Sequence, residues 1–175
     1  MFIKKLNQRQ IQNKGFTLLE VILYIGLLSI ILTAIVSFSS MFVESRIKSQ
    51  AIAEVEQQGL QTMQLITQTI RNAENITSPT TGSSAASLTL DVVTAGDDPT
   101  IFDLSGNAIR IKEGVGPNVN LTSARITASN LNFQNLSRAS TPGIIRVSFT
   151  LTHVNPNGRN EYNYSKTFYA SASLR

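Results

Sequence analysis

Between Phe16 and Val43 a single charged side chain, Glu20, stands in a run that is otherwise apolar or uncharged. A charge at mid-membrane costs about 2.5 to 3.5 kcal/mol on insertion scales. A carboxylate held away from water also demands a cationic partner, since an unpaired charge in low dielectric is costly. Glu20 lies one helical turn past the Gly15-Phe16 junction, and the chemistry that suits it there is ion pairing.

The other side chains capable of chemistry are sparse. His153 is the only histidine and cysteine is absent, which excludes disulfides, thiolate metal sites and a cysteine nucleophile. His153 falls at a strand end with no G-x-S-x-G context, and the sequence holds no P-loop, G-x-G-x-x-G or H-E-x-x-H pattern. An isolated histidine of this kind is an exposed or hydrogen-bonded structural residue, so the chain reads as a non-enzyme that needs no cofactor. The remaining site candidate is acidic: Asp97 and Asp98 in Ala95-Gly96-Asp97-Asp98-Pro99, with Asp91 and Asp103 nearby. Oxygen-rich loops bind calcium, but this one lacks EF-hand spacing and also reads as a solvated Asp-Pro turn, a weak metal candidate. The Asn-X-Ser/Thr triplets at Asn75, Asn120, Asn135 and Asn163 carry little weight in a chain so rich in Asn, Ser and Thr.

These residues need elements to position them. The run from Phe16 to Val43 exceeds the roughly 20 residues required to span a bilayer, whereas a secretory signal has an apolar core of about 7 to 15. A retained membrane helix follows, and the basic residues before it predict a cytoplasmic N-terminus. Beyond Val43 apolar residues recur at Ile52, Val55, Met63, Ile66, Ile70 and Ala73 at helical spacing without a proline, with Gly59 the one weak helix former. Asn72, Asn75, Thr77, Ser78 and Pro79 supply stop signals, so one helix is expected from Phe16 to about Asn75. Within its first half, Gly26, Ser29, Thr33, Ser37, Ser39 and Ser40 suit either close helix packing or hydrogen bonds to their own backbone.

Residues Ser78 to Ser87 read as a linker of Pro, Gly, Ser and Thr. Strand-like periodicity follows over Ser87 to Val93, Thr100 to Leu104, Ala108 to Lys112, Ala124 to Gln134, Ile144 to Val154 and Asn160 to Ala172. Ser105-Gly106-Asn107 and Asn155-Pro156-Asn157-Gly158 mark hairpin turns. The class is α+β, with a long N-terminal helix, membrane-spanning then amphipathic, packed on an antiparallel meander sheet.

Charge divides unevenly. The formal net charge is +4, yet Lys4, Lys5, Arg9 and Lys14 precede Gly15 while all 11 acidic residues follow it. The chain after Gly15 is therefore formally neutral, with no electrostatic footprint for nucleic acid unless Arg110, Lys112, Arg125, Arg138 and Arg146 cluster in space.

The segment Lys14-Gly15-Phe16-Thr17-Leu18-Leu19-Glu20, a short basic leader ending in Gly before a hydrophobic helix, resembles the cleavage and methylation segment of type IV prepilins and type II secretion pseudopilins. The resemblance implies a pilin-like fold, cleavage after Gly15 by a prepilin peptidase, N-methylation of Phe16, and pairing of Glu20 with the methylated amino terminus of a neighbouring subunit. It divides the chain into a leader at 1–15, a filament-core helix at 16–43, an amphipathic continuation at 44–76 and a β-rich domain at 77–175. Its implied partners are the peptidase/methyltransferase, other pilin or pseudopilin subunits, an assembly platform protein and the inner membrane, with the C-terminal domain extracytoplasmic and later in a pilus or pseudopilus. Many type IV pilins carry a C-terminal disulfide and many major pilins a mid-helix proline. Both are missing here, which favours a minor subunit. The rival expectation is a membrane-anchored binding or sensor domain that never polymerises, which gives no reason for Gly15-Phe16 or Glu20.

Overall fold

The computed structural model describes residues 15–139 and 141–175. The expected leader lies outside the described residues apart from Gly15. The chain divides into two compact units, Met1–Val43 and Glu44–Arg175, and helix α1 (Leu18–Asn72) contributes to both.

In the first unit, α1 carries large apolar side chains around its whole circumference, all solvent-exposed within the single chain. It is the one helix among the described residues long and apolar enough to cross a membrane, and its most apolar stretch buries nothing against the rest of the protein. A helix apolar on every side needs lipid or other helices around it. The hydroxyls of Ser29, Thr33, Ser39 and Ser40 donate to the carbonyls of Gly26, Ser29, Ile35 and Ser37 at 2.8 to 2.9 Å. Of the two expectations for these residues, the single chain displays the backbone-satisfying one.

In the second unit, α1 buries a stripe of Ala51, Val55, Gly59, Thr62, Met63, Ile66 and Ile70. The stripe is displaced from the expected one at its start, where Ala51 is buried and Ile52 only half-buried. The helix ends sooner than expected. At Ala73 the chain passes directly into strand β1 (Ala73–Ser78), where stop signals alone had suggested helix end and linker. Six residues are too few to show alternation once both ends of β1 are bulged against its partner.

The expected single meander is two antiparallel sheets. One has the order β1-β3-β4-β5-β6, built from β1, β3 (Leu88–Val92), β4 (Thr100–Ser105), β5 (Ala108–Glu113) and β6 (Val119–Asn120). The other has the order β2-β7-β8-β9, from β2 (Ser84–Ala85), β7 (Ile126–Asn135), β8 (Ile144–His153) and β9 (Ser165–Ser173). The chain crosses to the second sheet for β2, returns to the first for β3 to β6, and crosses again after β6. There Gln58 on α1 takes hold of Ser123, accepting its backbone N–H on Oε1 and donating from Nε2 to its hydroxyl, both at 2.8 Å. The chain then completes the second sheet with β7 to β9, tied to the first where the Ala128 N–H donates to the Asn107 carbonyl at 2.7 Å.

Both sheets turn their apolar faces to one core shared with the α1 stripe. Phe102, Phe133 and Phe149 are fully buried in it, and burying such a side chain contributes about 1.5 to 3 kcal/mol. The alternation of Ile145, Val147, Phe149 and Leu151 holds, with all four buried. Gly106 (φ 58°) and Asn107 (φ 62°) form the two-residue turn of the β4–β5 hairpin, where both positions require positive φ and Gly and Asn tolerate it. The β8–β9 connection is longer than the four-residue turn expected. After Gly158 it adds a 3-10 turn, Asn160–Tyr162, inside the stretch expected as strand.

Candidate processing and assembly site

At the start of α1, residues Gly15 to Thr17 are non-helical and Leu18 is the first helical residue. Thr17 acts as the cap: its hydroxyl and its carbonyl both accept the N–H of Glu20, at 3.3 and 3.1 Å. This satisfies one of the donors that a helix start leaves open. Thr17-x-x-Glu20 has the spacing of a capping box, a signal that a reading centred on the membrane charge passed over. A carboxylate in the first turn is also favoured by the helix dipole, by about 0.3 to 1 kcal/mol.

Glu20 does not fold back onto the Thr17 backbone. Its Oε1 accepts the Tyr24 hydroxyl at 3.0 Å, and the Tyr24 ring meets Phe16 edge-on with centroids 6.2 Å apart. Glu20 and Tyr24 thus share one face of the helix at four-residue spacing, and the Phe16 ring reaches that face from just before the first turn. Tyr24 is a neighbour of the candidate site that the sequence reading missed, and its i, i+4 relation to Glu20 was the available signal. The arrangement leaves Phe16 73% exposed and Glu20 half-buried. A hydroxyl donor supports the carboxylate without neutralising it, so the site retains capacity for a cation.

Residues 12–36 match the family model described as the prokaryotic N-terminal methylation motif. This is the prepilin-type signature of type IV pilins and pseudopilins. No curated protein matches the chain, and no solved structure does. The prepilin-type segment joined to one long apolar helix fits a membrane-anchored protein and supports a processed, pilin- or pseudopilin-like subunit, and the motif implies processing by a prepilin peptidase and assembly with other subunits in a membrane system. The likeness is to a structural rather than an enzymatic family.

The other candidates are not brought together around a shared centre. Asp103 forms a two-point ion pair with Arg110 across β4 and β5, at 2.7 and 2.8 Å, which raises the Arg110 pKa through that hydrogen bond. Asp91 accepts from Thr77 and Asn75 at 2.6 and 3.3 Å, and Asp98 accepts the Val92 N–H at 3.2 Å. At Asp97 the backbone carbonyl bonds Gly114 and Thr100. Among the described residues no group of three or more His, Asp or Glu side chains is placed to hold a metal.

His153 is 9% exposed. It stacks on Tyr162 with centroids 5.3 Å apart, while Nε2 lies 3.6 Å from a Glu54 carboxylate oxygen that Arg125 also approaches. It is a satisfied structural residue near the end of a core strand. Two of the basic residues considered for nucleic acid are turned to carboxylates, Arg110 to Asp103 and Arg125 to Glu54, while Lys112 lies on β5, Arg146 on β8 and Arg138 in the β7–β8 connection.

Proposed function

We propose that the chain is a minor pilin or pseudopilin, a structural subunit of a type IV pilus or a type II secretion-like filament, cut after Gly15 and N-methylated on Phe16. The observation that carries this reading is the face formed by Phe16, Glu20 and Tyr24 inside the prepilin-type segment. Cleavage at Gly15 creates an ammonium on Phe16, and a carboxylate on a helix otherwise surrounded by apolar residues needs such a cation. The subunit waits in the inner membrane with its β domain outside the cytoplasm. It then joins a heterologous helical assembly, which need not close. The missing cysteine pair and mid-helix proline favour a minor position.

The test is co-expression with a prepilin peptidase and an intact-mass measurement. The expected product begins at Phe16 and carries a methylated amine. A product that keeps Met1 to Gly15, or begins at another residue, overturns the assignment.

A further inference from the structure

Strand β9 is the longest uncovered sheet edge among the described residues. β2 and β6 are two-residue strands, and β1 is bulged, with Ile76 against Gly143 of the β7–β8 connection. β9 pairs with β8 in unbroken register over nine residues, and the parity of its hydrogen bonds follows from its flanks. The Leu174 N–H donates to Gly143 and the Tyr164 carbonyl accepts from His153, so even-numbered residues face β8. The N–H and C=O groups of Ser165, Thr167, Tyr169, Ser171 and Ser173 therefore point outward from the sheet, and none has a protein partner.

Natural edges of this length are blunted by proline, bulges or charge. β9 has no proline and no bulge, and its single charge, Lys166, is turned away and held by Glu56 at 2.7 Å. The side chains beside the open edge are four small hydroxyls and a tyrosine that is 73% exposed. Such an edge matches the backbone of an extended strand and imposes no charge requirement on it.

We propose that β9 is an assembly edge, extended by a β-strand from a neighbouring filament subunit that is a different polypeptide from this one. Two observations argue against a second copy. β9 runs in the same direction as α1, since Lys166 meets Glu56, Phe168 meets Gly59, and Arg175 lies beside Gln68 and Asn72. Antiparallel β9–β9 pairing would set two copies of α1 head to tail, which subunits anchored in one membrane cannot adopt, and parallel pairing of two identical edges needs a one-residue offset that denies the pair two-fold symmetry. The chain's other edges are too short or too irregular to complement nine residues. The inference rests on the filament reading and gives the minor position a physical basis, because a subunit whose edge cannot be completed by its own kind requires a different neighbour.

The test is hydrogen exchange on the full processed chain, in detergent and in assembled filaments, with a proline variant as control. In detergent the amides of Thr167, Tyr169 and Ser171 exchange freely; in filaments they slow by at least about tenfold, as newly bonded amides do. Ser171→Pro removes only an outward N–H, so the purified chain keeps its melting transition while its incorporation into filaments is lost. Filaments in which these amides exchange at the detergent rate, or which accept Ser171→Pro at the wild-type level, overturn the edge and leave the filament reading standing. Edge amides protected in filaments made of this chain alone overturn the different-partner claim. A chain that never enters filaments overturns both.

Discussion

The ring of Phe168 on β9 lies against the backbone of Gly59 on α1, so close that a methyl group on Gly59 would overlap it. Phe168 is itself fixed by stacking on Phe149, with centroids 5.5 Å apart. The weakest helix former in the amphipathic half is thus a point of close approach between helix and sheet. Gly59→Ala should gain up to about 1 kcal/mol of helix propensity and lose about 1 to 3 kcal/mol to overpacking, lowering the thermal midpoint. Adding Phe168→Leu should cost less than the two single changes summed, because the smaller side chain makes room for the methyl. A Gly59→Ala chain as stable as wild type would show that Phe168 moves aside freely.

How much of this was legible depends on whether a residue's role is local. The turn at Ser105-Gly106-Asn107 and the alternation from Ile145 to Leu151 are local patterns, and both appear in the structure, the turn tightened to Gly106 and Asn107. Gly59 carries no local mark, because its reason lies on a strand more than 100 residues later. The division into two sheets was hidden for the same reason: Gln58 holds Ser123 across 65 residues. The stretch from Ser78 to Ser87 looked too polar to bury, yet it is stitched to the second sheet by backbone bonds from Gly82 and Ser83 to Asn135. Tyr24 was an oversight of a different kind, since its spacing from Glu20 was visible.

Glu56 on α1 accepts from Lys166 at 2.7 Å and from the Tyr164 hydroxyl at 3.2 Å. The Lys166 hydrogen bond is the main cause that holds the Glu56 pKa below its ordinary 4.5 and lifts that of Lys166 above 10.5. A depressed carboxylate contributes stability that is present above its unfolded pKa and lost as pH falls through the folded one. The raised lysine contributes below its unfolded pKa and loses that as pH rises through the folded one. Both contributions are therefore complete between about pH 5 and 10. Glu56→Gln should lower the thermal midpoint by a constant small amount across that window, with the gap to wild type closing as pH drops below 4.5. Because both side chains are well exposed, added salt should narrow the gap as well. A gap that widens in acid would assign the effect to another group.

Asn135 is 3% exposed. Its amide donates to the Pro79 carbonyl at 2.7 Å, and its side-chain oxygen accepts the Ser137 N–H at 3.0 Å. With the backbone bonds to Gly82 and Ser83, one residue anchors both the β1–β2 connection and the end of β7. Asn135→Ala leaves both the Pro79 carbonyl and the Ser137 N–H without this partner, and an unsatisfied buried polar group costs about 1 to 3 kcal/mol. Asn135→Asp keeps the acceptor for Ser137 but turns an oxygen to the Pro79 carbonyl, so it should be at least as damaging. Melting curves and proteolysis between Ser78 and Ser87 give the readout. Wild-type resistance in both variants would mean that the backbone bonds alone hold the segment.

Glu20 has a local role and a proposed assembly role, and their magnitudes separate them. Locally it complements the helix start, a contribution of about 0.3 to 1 kcal/mol, too little to prevent insertion of an apolar helix. In assembly its carboxylate would pair with the ammonium of a neighbour in low dielectric, where removing one partner is worth about 3 to 5 kcal/mol. Glu20→Ala should therefore leave membrane insertion unchanged and reduce incorporation into filaments by more than about tenfold, the change that 1.4 kcal/mol produces. Glu20→Gln should behave similarly, because an amide keeps hydrogen bonding but not charge, whereas Tyr24→Phe removes only the supporting hydroxyl and should stay close to wild type. Quantifying subunit in sheared filaments against subunit in membranes distinguishes these outcomes. If Glu20→Gln incorporates as well as wild type while Tyr24→Phe fails, the carboxylate acts through its hydrogen bond to Tyr24 and the cation pairing is wrong.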